Sequence, residues 1–214
     1  MTIMISDGLH WGAGAERTQD GAGRAGRLPA LLAIALSCVL LAFVCLTAVG
    51  AQSGSQETHL ERNVKAAFLY KFLGYVDYPE QAAPGVGEPL VIAILGADDV
   101  ADELARISAG RNMNGRAVAV RKLRAGDAPG KVHMLFVGND DVGDIDRALA
   151  AVRQAPVLTV TETGRNLRHD SVINFRLVDG RVRFDVSLDA VEKNNLKLSS
   201  RLLAVAYKVQ RNSR

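Results

Sequence analysis

The stretch Leu90-Val91-Ile92-Ala93-Ile94-Leu95-Gly96 carries no polar side chain and follows the Pro- and Gly-rich turn APGVGEP. A short apolar run that is rich in β-branched residues and lacks polar alternates reads as a strand covered on both faces, as in parallel sheets. This commits the chain to a layered fold with helices on either side of a sheet. The residues that follow supply the layers. Asp98 is placed to cap a helix, DDVADELARIS, that Gly110 can close, and strands are expected at Ala117–Leu123 and Val132–Val137. A helix from about Asp141 to Arg153 and a strand at Val157–Thr161 complete the alternation, which predicts βαβ units around a largely parallel sheet. The loop before Val132 is too short for a helix, so an antiparallel or edge placement is expected there.

The pattern then changes. SVINFRLVDGRVRFDVSL reads as strands Val172–Val178 and Arg181–Val186 joined by Asp179-Gly180, a strong hairpin signal. Ile173, Phe175, Leu177, Val182, Phe184 and Val186 alternate with polar residues, which predicts one buried and one polar face. Two helices are expected to follow, Leu188 to about Asn194 and Ser199–Val209, the second with Leu202, Leu203, Ala206 and Val209 inward. The expected fold is therefore α/β: a single domain with a mixed, mostly parallel central sheet flanked by helices, a C-terminal antiparallel hairpin and two terminal helices.

Ahead of the sheet, Thr58–Val76 has helical spacing of Leu60, Val64, Ala67, Phe68, Phe72 and Tyr75, and Pro79 ends it. The segment Lys65–Pro79 holds Phe68, Tyr70, Phe72, Tyr75 and Tyr78, in a chain with only 6 Phe, 4 Tyr and 1 Trp. Tyr70 and Leu73 fall off the main face, so the end of this helix is apolar nearly all round. Phe68 and Phe72 are expected in the core. Tyr70, Leu73 and Tyr78 are expected at a dimer or partner surface, the alternative being a second layer of intramolecular packing.

Leu28 to Ala51 contains no charged residue and is preceded by Arg24 and Arg27, so it must meet a membrane. Two readings stand: a signal peptide cleaved between Ala51 and Gln52, or an uncleaved anchor in the inner membrane. Both place the rest outside the cytoplasm and divide the chain into an N-terminal extension and signal, 1–51, and an exported α/β domain, 52–214. The 2 cysteines, Cys38 and Cys45, lie inside the apolar run. The exported part thus has no disulfide and no thiolate for catalysis or metal binding.

Few residues point to chemistry. The sequence GAGRAG at Gly21–Gly26 lacks the preceding strand and following helix that give a dinucleotide fingerprint its meaning. His10, His59, His133 and His169 match no metal or nucleophile motif, and His133 reads as a structural histidine within an apolar strand. NDDVGDID, Asn139–Asp146, lacks calcium-loop spacing and reads as helix capping. Lys and Arg are spread too evenly for a nucleic-acid footprint at a net charge of +3. No catalytic residue, metal site or cofactor is expected. In open α/β sheets ligands gather at the carboxyl ends of strands, which makes Asp98, Asn139, Glu162 and Arg165 the candidates for a small-molecule site. Arg181 and Arg183 share a hairpin face with Asp185, and Asn174 and Arg176 lie on the partner strand. That polar face is either a cross-strand charge pairing or a surface for docking a protein through Arg176, Arg181 and Arg183.

The segments KAAFLYKFLGYVDYP, VIAILGADD, NGRAVAVRKL, HMLFVG, PVLTVTE and INFRLVDGRVRFDVSLDAVEKNNLKLSSRLLAVA, in that order from about Val64 to Ala206, resemble the YfiR family. The resemblance implies an exported, periplasmic, non-enzymatic regulator. Its partner would be the periplasmic sensor domain of a membrane-bound diguanylate cyclase or another sensor protein, repressed so that less cyclic di-GMP is made, and a homodimer is a further expectation. Two departures stand out. Members whose behaviour depends on disulfides carry cysteines in the folded domain, and this chain has none there. Where many members have a glycine pair before the INF strand, this chain has His169-Asp170-Ser171, which restricts the backbone of that loop.

The amino terminus of the exported protein, read by mass spectrometry, is expected at Gln52. Retention of the residues before it would select the anchor.

Overall fold

A computed structural model describes residue 56 and residues 58–138, 142–162 and 171–211. The first helix, α1, runs over residues 58–72 and tightens into a 3-10 turn at Leu73–Tyr75. The chain is then drawn into a short strand, β1 (Val76–Asp77), so the helix ends ahead of the expected boundary at Val76. Its partner is β9 (Lys197–Leu198), with Val76 opposite Leu198, and Ser199 N–H donates to the Tyr75 carbonyl at 2.9 Å. This tie captures the backbone of the last turn before Pro79 can end it.

The main sheet has eight strands: β2 (Leu90–Leu95), β3 (Asn112–Met113), β4 (Arg116–Leu123), β5 (Met134–Val137), β6 (Leu158–Glu162), β7 (Ile173–Val178), β8 (Arg181–Ser187) and β10 (Lys208–Gln210). Their spatial order is β10-β8-β7-β6-β5-β2-β4-β3. All neighbours are parallel except the β7–β8 hairpin and the β3–β4 pair. The mixed, mostly parallel α/β architecture is the one that the apolar runs predict. β4 and β5 flank β2 on opposite sides, both parallel to it, so the short connection between them crosses β2. β4 is next to the border, and only Arg116 and Ala117 pair with β3.

Helices α2 (Asp98–Ser108), α4 (Leu188–Lys193) and α5 (Ser200–Val205) join α1 over one face, and α3 (Val142–Ala151) covers the other. β2 shows why its sequence has no polar alternate. Ile92 and Ile94 enter the first core with Leu69, Phe72 and Leu104, whereas Ala93 and Leu95 enter the second with Ile145 and Leu149.

On α1 the buried stripe is Ala66, Leu69, Phe72 and Leu73, rotated from the expected face, and Leu60 is 65% exposed. A helix apolar on nearly all sides leaves the choice of face to packing. That choice is made by rings: Phe72 meets Phe175 at 5.8 Å and Phe184 edge-on at 5.0 Å, while Phe68 stacks on Phe72 at 5.7 Å. Phe72 is fully buried and Phe68 partly so, in agreement with their expected core role.

Two further expectations are corrected. Ala97, not Asp98, is the N-cap of α2, and Asp98 and Asp99 occupy its first turn, where the positive end of the helix dipole favours them. The segment Ser199–Val209 is not one helix: α5 stops at Val205, Tyr207 N–H donates to the Phe184 carbonyl at 2.8 Å, and β10 runs parallel to β8. Unpaired groups on the β8 edge outweigh the helical spacing of Leu202, Leu203 and Ala206, and Val209 is 41% exposed in β10 rather than inward. The hairpin turn holds Asp179 and Gly180 at φ 51° and 68°, the left-handed pair that a two-residue turn of this kind requires.

Phe72→Ala is expected to cost about 3–5 kcal/mol of folding stability, because it deletes a ring at the centre of the aromatic cluster. Urea unfolding of the variant checks this, and a loss below about 1 kcal/mol would contradict the packing described.

Candidate functional site

Two regions carry the candidate residues. The first is a cleft at the carboxyl ends of β2, β5 and β6. The strands reach it through Gly96, Gly138 and Glu162, and α1 lies against it with Glu61, Arg62 and Lys65. Gly138 allows the close approach: a Cβ there would sit 2.6 Å from that of Ala97. At the centre of the cleft, the Lys65 ammonium donates to carboxylate oxygens of Glu61, one turn earlier, and of Glu162, on β6. Lys65 is 7% exposed. Burial alone would lower its pKa, but the hydrogen bonds and charges of Glu162 and Glu61 outweigh it and hold the ammonium above its ordinary range. Beside it Arg62 pairs with Asp99 at 3.7 Å.

Of the residues expected to bind a ligand, Glu162 lies in this cleft. Asp98 does not, because the first turn of α2 directs Asp99 there instead. Asn139 and Arg165 lie outside the described residues. The cleft holds about 210 Å³, below the ~300–1,000 Å³ of ordinary small-molecule sites. It closes around a lysine held by two carboxylates, an arrangement that positions α1 on the sheet. Sequence reasoning missed Lys65, whose signal was its (i, i+4) spacing after Glu61 on an otherwise apolar stretch. Among the described residues no cluster of three or more His, Cys, Asp or Glu could hold a metal.

The second region is the hairpin and the strand beside it. The expectation of one buried and one polar face is corrected along its length. At the base both faces are buried: Phe175 and Phe184 on one, Asn174 and Asp185, 2% and 3% exposed, on the other. At the tip both are exposed, so Leu177 stands 55% open while Arg181 and Arg183 face solvent. Thr161 Oγ1 donates to Asn174 Oδ1 at 3.0 Å and shares a hydrogen bond with Ser171 Oγ at 2.9 Å. Arg176 lies opposite Arg183 in register, and its guanidinium bonds diagonally to Asp185 Oδ2 at 3.1 Å and covers the Tyr207 ring at 5.7 Å. Burial raises the Asp185 carboxyl pKa, with the charges of Arg176 and Lys208 opposing, and among the described residues Oδ1 has no hydrogen-bond partner. Arg176 is thus fixed, whereas Arg181 and Arg183 project. Leu177, Val205, Tyr207 and Val209 are between 41% and 65% exposed; Leu177 lies on the face of the ribbon opposite the arginines, and Val209 pairs with Val186 at its base.

The aromatic segment behaves otherwise. Leu73 is 1% exposed and belongs to the core, which corrects its expected place on a partner surface: the 3-10 turn rotates it inward. Tyr70 and Tyr78 are half-buried and donate to the carbonyls of Asn112, at 3.3 Å, and His133, at 3.0 Å. Burial pushes the Tyr78 phenol well above its ordinary range. His133 accepts from Val91 N–H through Nδ1 at 2.9 Å, and burial leads the causes that lower its pKa. It is a hydrogen-bonded structural histidine.

Residues 62–207 match the family described as YfiR/HmsC-like. Among solved structures, the chain aligns with a conserved domain protein from Vibrio cholerae O1 biovar eltor str. N16961 at 11% identity and a TM-score of 0.41. The alignment covers 56% of this chain and 54% of that one, so the chain spans about half the length of that protein.

Because the Lys65 pKa is raised on folding, its contribution to stability is complete below pH about 10.5 and is lost as the pH rises through the higher folded value. Lys65→Met is expected to flatten this alkaline loss, and Glu162→Gln to cost roughly 1–2 kcal/mol at neutral pH. Thermal melts of both variants from pH 7 to 12 check this, and an alkaline loss unchanged by Lys65→Met would contradict it.

Proposed function

The chain belongs to the YfiR/HmsC-like family, whose members are periplasmic regulators without enzymatic activity, and on that premise we propose that residues 52–214 bind the periplasmic sensor domain of a membrane-bound diguanylate cyclase and repress cyclic di-GMP synthesis. Residues 1–51 deliver the domain across the inner membrane. No helix among the described residues is long and apolar enough to cross a membrane.

The observation that carries this reading is the arginine face of the hairpin, where Arg176 covers the exposed Tyr207 ring and Arg181 and Arg183 are exposed. Tyr207 is more than half exposed, and Arg176 above it lies opposite Arg183 in register; Leu177 is open on the other face. An exposed aromatic ring among arginines suits a protein partner. The charge selects an acidic one and speeds encounter. Arg176 is held between Asp185 and Tyr207, so the surface is ordered before a partner arrives. Tyr70 and Tyr78 have their hydroxyls committed to the carbonyls of Asn112 and His133, toward the other side of the sheet from this hairpin.

The double variant Arg181→Glu/Arg183→Glu is expected to weaken binding of the purified protein to the cyclase's periplasmic domain by roughly ten- to a hundredfold. It should raise cytoplasmic cyclic di-GMP to the level of a strain lacking the protein. Biosensor affinity together with nucleotide extraction checks both, and full repression by a variant whose melting temperature is unchanged would reject this surface.

A further inference from the structure

β4 runs over Arg116–Leu123, yet only Arg116 and Ala117 have a neighbour on its outer side, the short strand β3. Beyond them the strand is paired on one side alone, with β2. The ladder decides which backbone groups are left over. On β2 the Leu95 carbonyl accepts from Gly138 N–H at 2.9 Å, and Val91 bonds through both its backbone groups to His133, so these residues face β5 and Ile92 and Ile94 face β4. Ile92 lies opposite Val120 and Ile94 opposite Lys122, and in a parallel pair a residue bonds to the two neighbours of the one it lies opposite. Ala119, Arg121 and Leu123 therefore bond to β2, whereas Val118, Val120 and Lys122 turn their N–H and C=O groups outward. Among the described residues no turn or loop backbone bonds to them.

The middle of this border strand is apolar and half-buried. Val118 and Val120 pack against the first core, and Ala119 lies on the opposite face. Around it stand Arg111, just before β3, Arg116, Arg121 and Lys122 on β4, and Arg124, just after it. Arg116 and Arg121 donate to the carbonyls of Gly85 and Pro129, which leave their charge uncompensated, while Lys122 pairs with Asp102 at 2.8 Å. Asp98 acts on Lys122 from farther away, and Asp127 accepts from Arg124 N–H at 2.8 Å. These acids offset part of the charge, and the border stays basic with every one of those bonds in place. Charge on an edge strand keeps copies apart, since edge-to-edge pairing of two chains would bring their Arg121 and Lys122 side chains together. The same charge attracts a strand of opposite sign.

We propose that the outer side of β4 takes up an extended, acidic segment of a partner protein as a further strand of the sheet. Main-chain bonds to Val118, Val120 and Lys122 supply the pairing, and the basic border selects the acidic sequence. The sheet's opposite border is formed by β10, next to the hairpin, so this surface is separate from the one assigned to the cyclase and does not depend on it. The probes are a capped hexapeptide alternating Glu and Val, the same peptide with Lys in place of Glu, and free glutamate, which has the charge without the strand. In isotope-labelled protein purified from the periplasmic fraction, the amides of Val120 and Lys122 are expected to exchange with solvent faster than those of Ala119 and Arg121. The Glu–Val peptide at millimolar concentration is expected to slow the first pair severalfold, and the other two probes are expected to leave it unchanged. Val120→Pro removes only an outward donor, a change that edge strands accept, and should abolish the protection read at Lys122 with little change in melting temperature. Arg111→Glu/Arg124→Glu, which alters only exposed positions, should weaken the peptide by roughly tenfold. Unchanged exchange at Val120 and Lys122, equal action of the Lys–Val peptide or of glutamate, or an affinity unaffected by the charge reversal would each overturn the assignment. The last of these holds even if Val120→Pro fails to fold.

Discussion

The packing of four phenylalanine rings across the boundary between α1 and the β7–β8 hairpin is the contact on which the other features depend. Phe184 acts twice in it. Its ring meets Phe68 at 5.5 Å and Phe72 at 5.0 Å, and its carbonyl accepts from Tyr207 N–H, which brings β10 to the sheet. Aromatic pairs in tilted and edge-on geometry contribute beyond their buried area and resist rotation of the helix that carries them. With α1 fixed in azimuth, Lys65 faces Glu162 instead of solvent. With β10 in place, Tyr207 receives the Arg176 guanidinium. The cleft and the exposed tip are therefore two results of one packing event.

The sheet's second face is divided in a way that matters for specificity. Under β2 and β5 it is apolar and covered by α3, whereas under β6, β7 and β8 it is built from Thr159, Thr161, Asn174 and Asp185, all buried. Buried hydroxyls and amides need hydrogen-bond partners, which the Thr161–Ser171–Asn174 network supplies and which Thr159 finds in the Val172 N–H. Asp185 is the exception, with one oxygen on Arg176 and the other without a partner among the described residues. A carboxylate left in that state favours any arrangement that keeps Arg176 nearby, which restrains the hairpin's twist without a large apolar contact at the tip.

Much of the fold was legible because its signals are local. An apolar run without alternates placed β2 and β5 inside, and Asp179-Gly180 forced a two-residue turn whose strands pair in the expected register. What could not be read depends on contacts distant in sequence. Leu202, Leu203, Ala206 and Val209 keep helical spacing, yet the open edge of β8 decides that the last of them is strand. Leu73 lies on the wrong side of an ideal helix and is carried inward by a 3-10 turn that answers to β9. The strand-end rule led to Glu162, but the group that meets it comes from α1, and no sequence rule relates Lys65 to a residue so far along the chain. Asp98 and Asp99 differ by one position of helical phase, which sequence boundaries do not resolve.

The small β1–β9 pair has a consequence for the order in which the protein is made. Val76 waits for Leu198, and Tyr75 for Ser199, so the anchoring of α1 at its carboxyl end is completed by one of the latest parts of the domain to emerge. Pairings between residues so remote slow folding, since the loop must close before the contact repays it. Until β7, β8 and β9 have been made, the aromatic side of α1 lacks the rings and the strand that fix it. The arrangement delays collapse until the chain is nearly complete, and a partly made domain carries an aromatic-rich helix whose apolar surface is exposed to association.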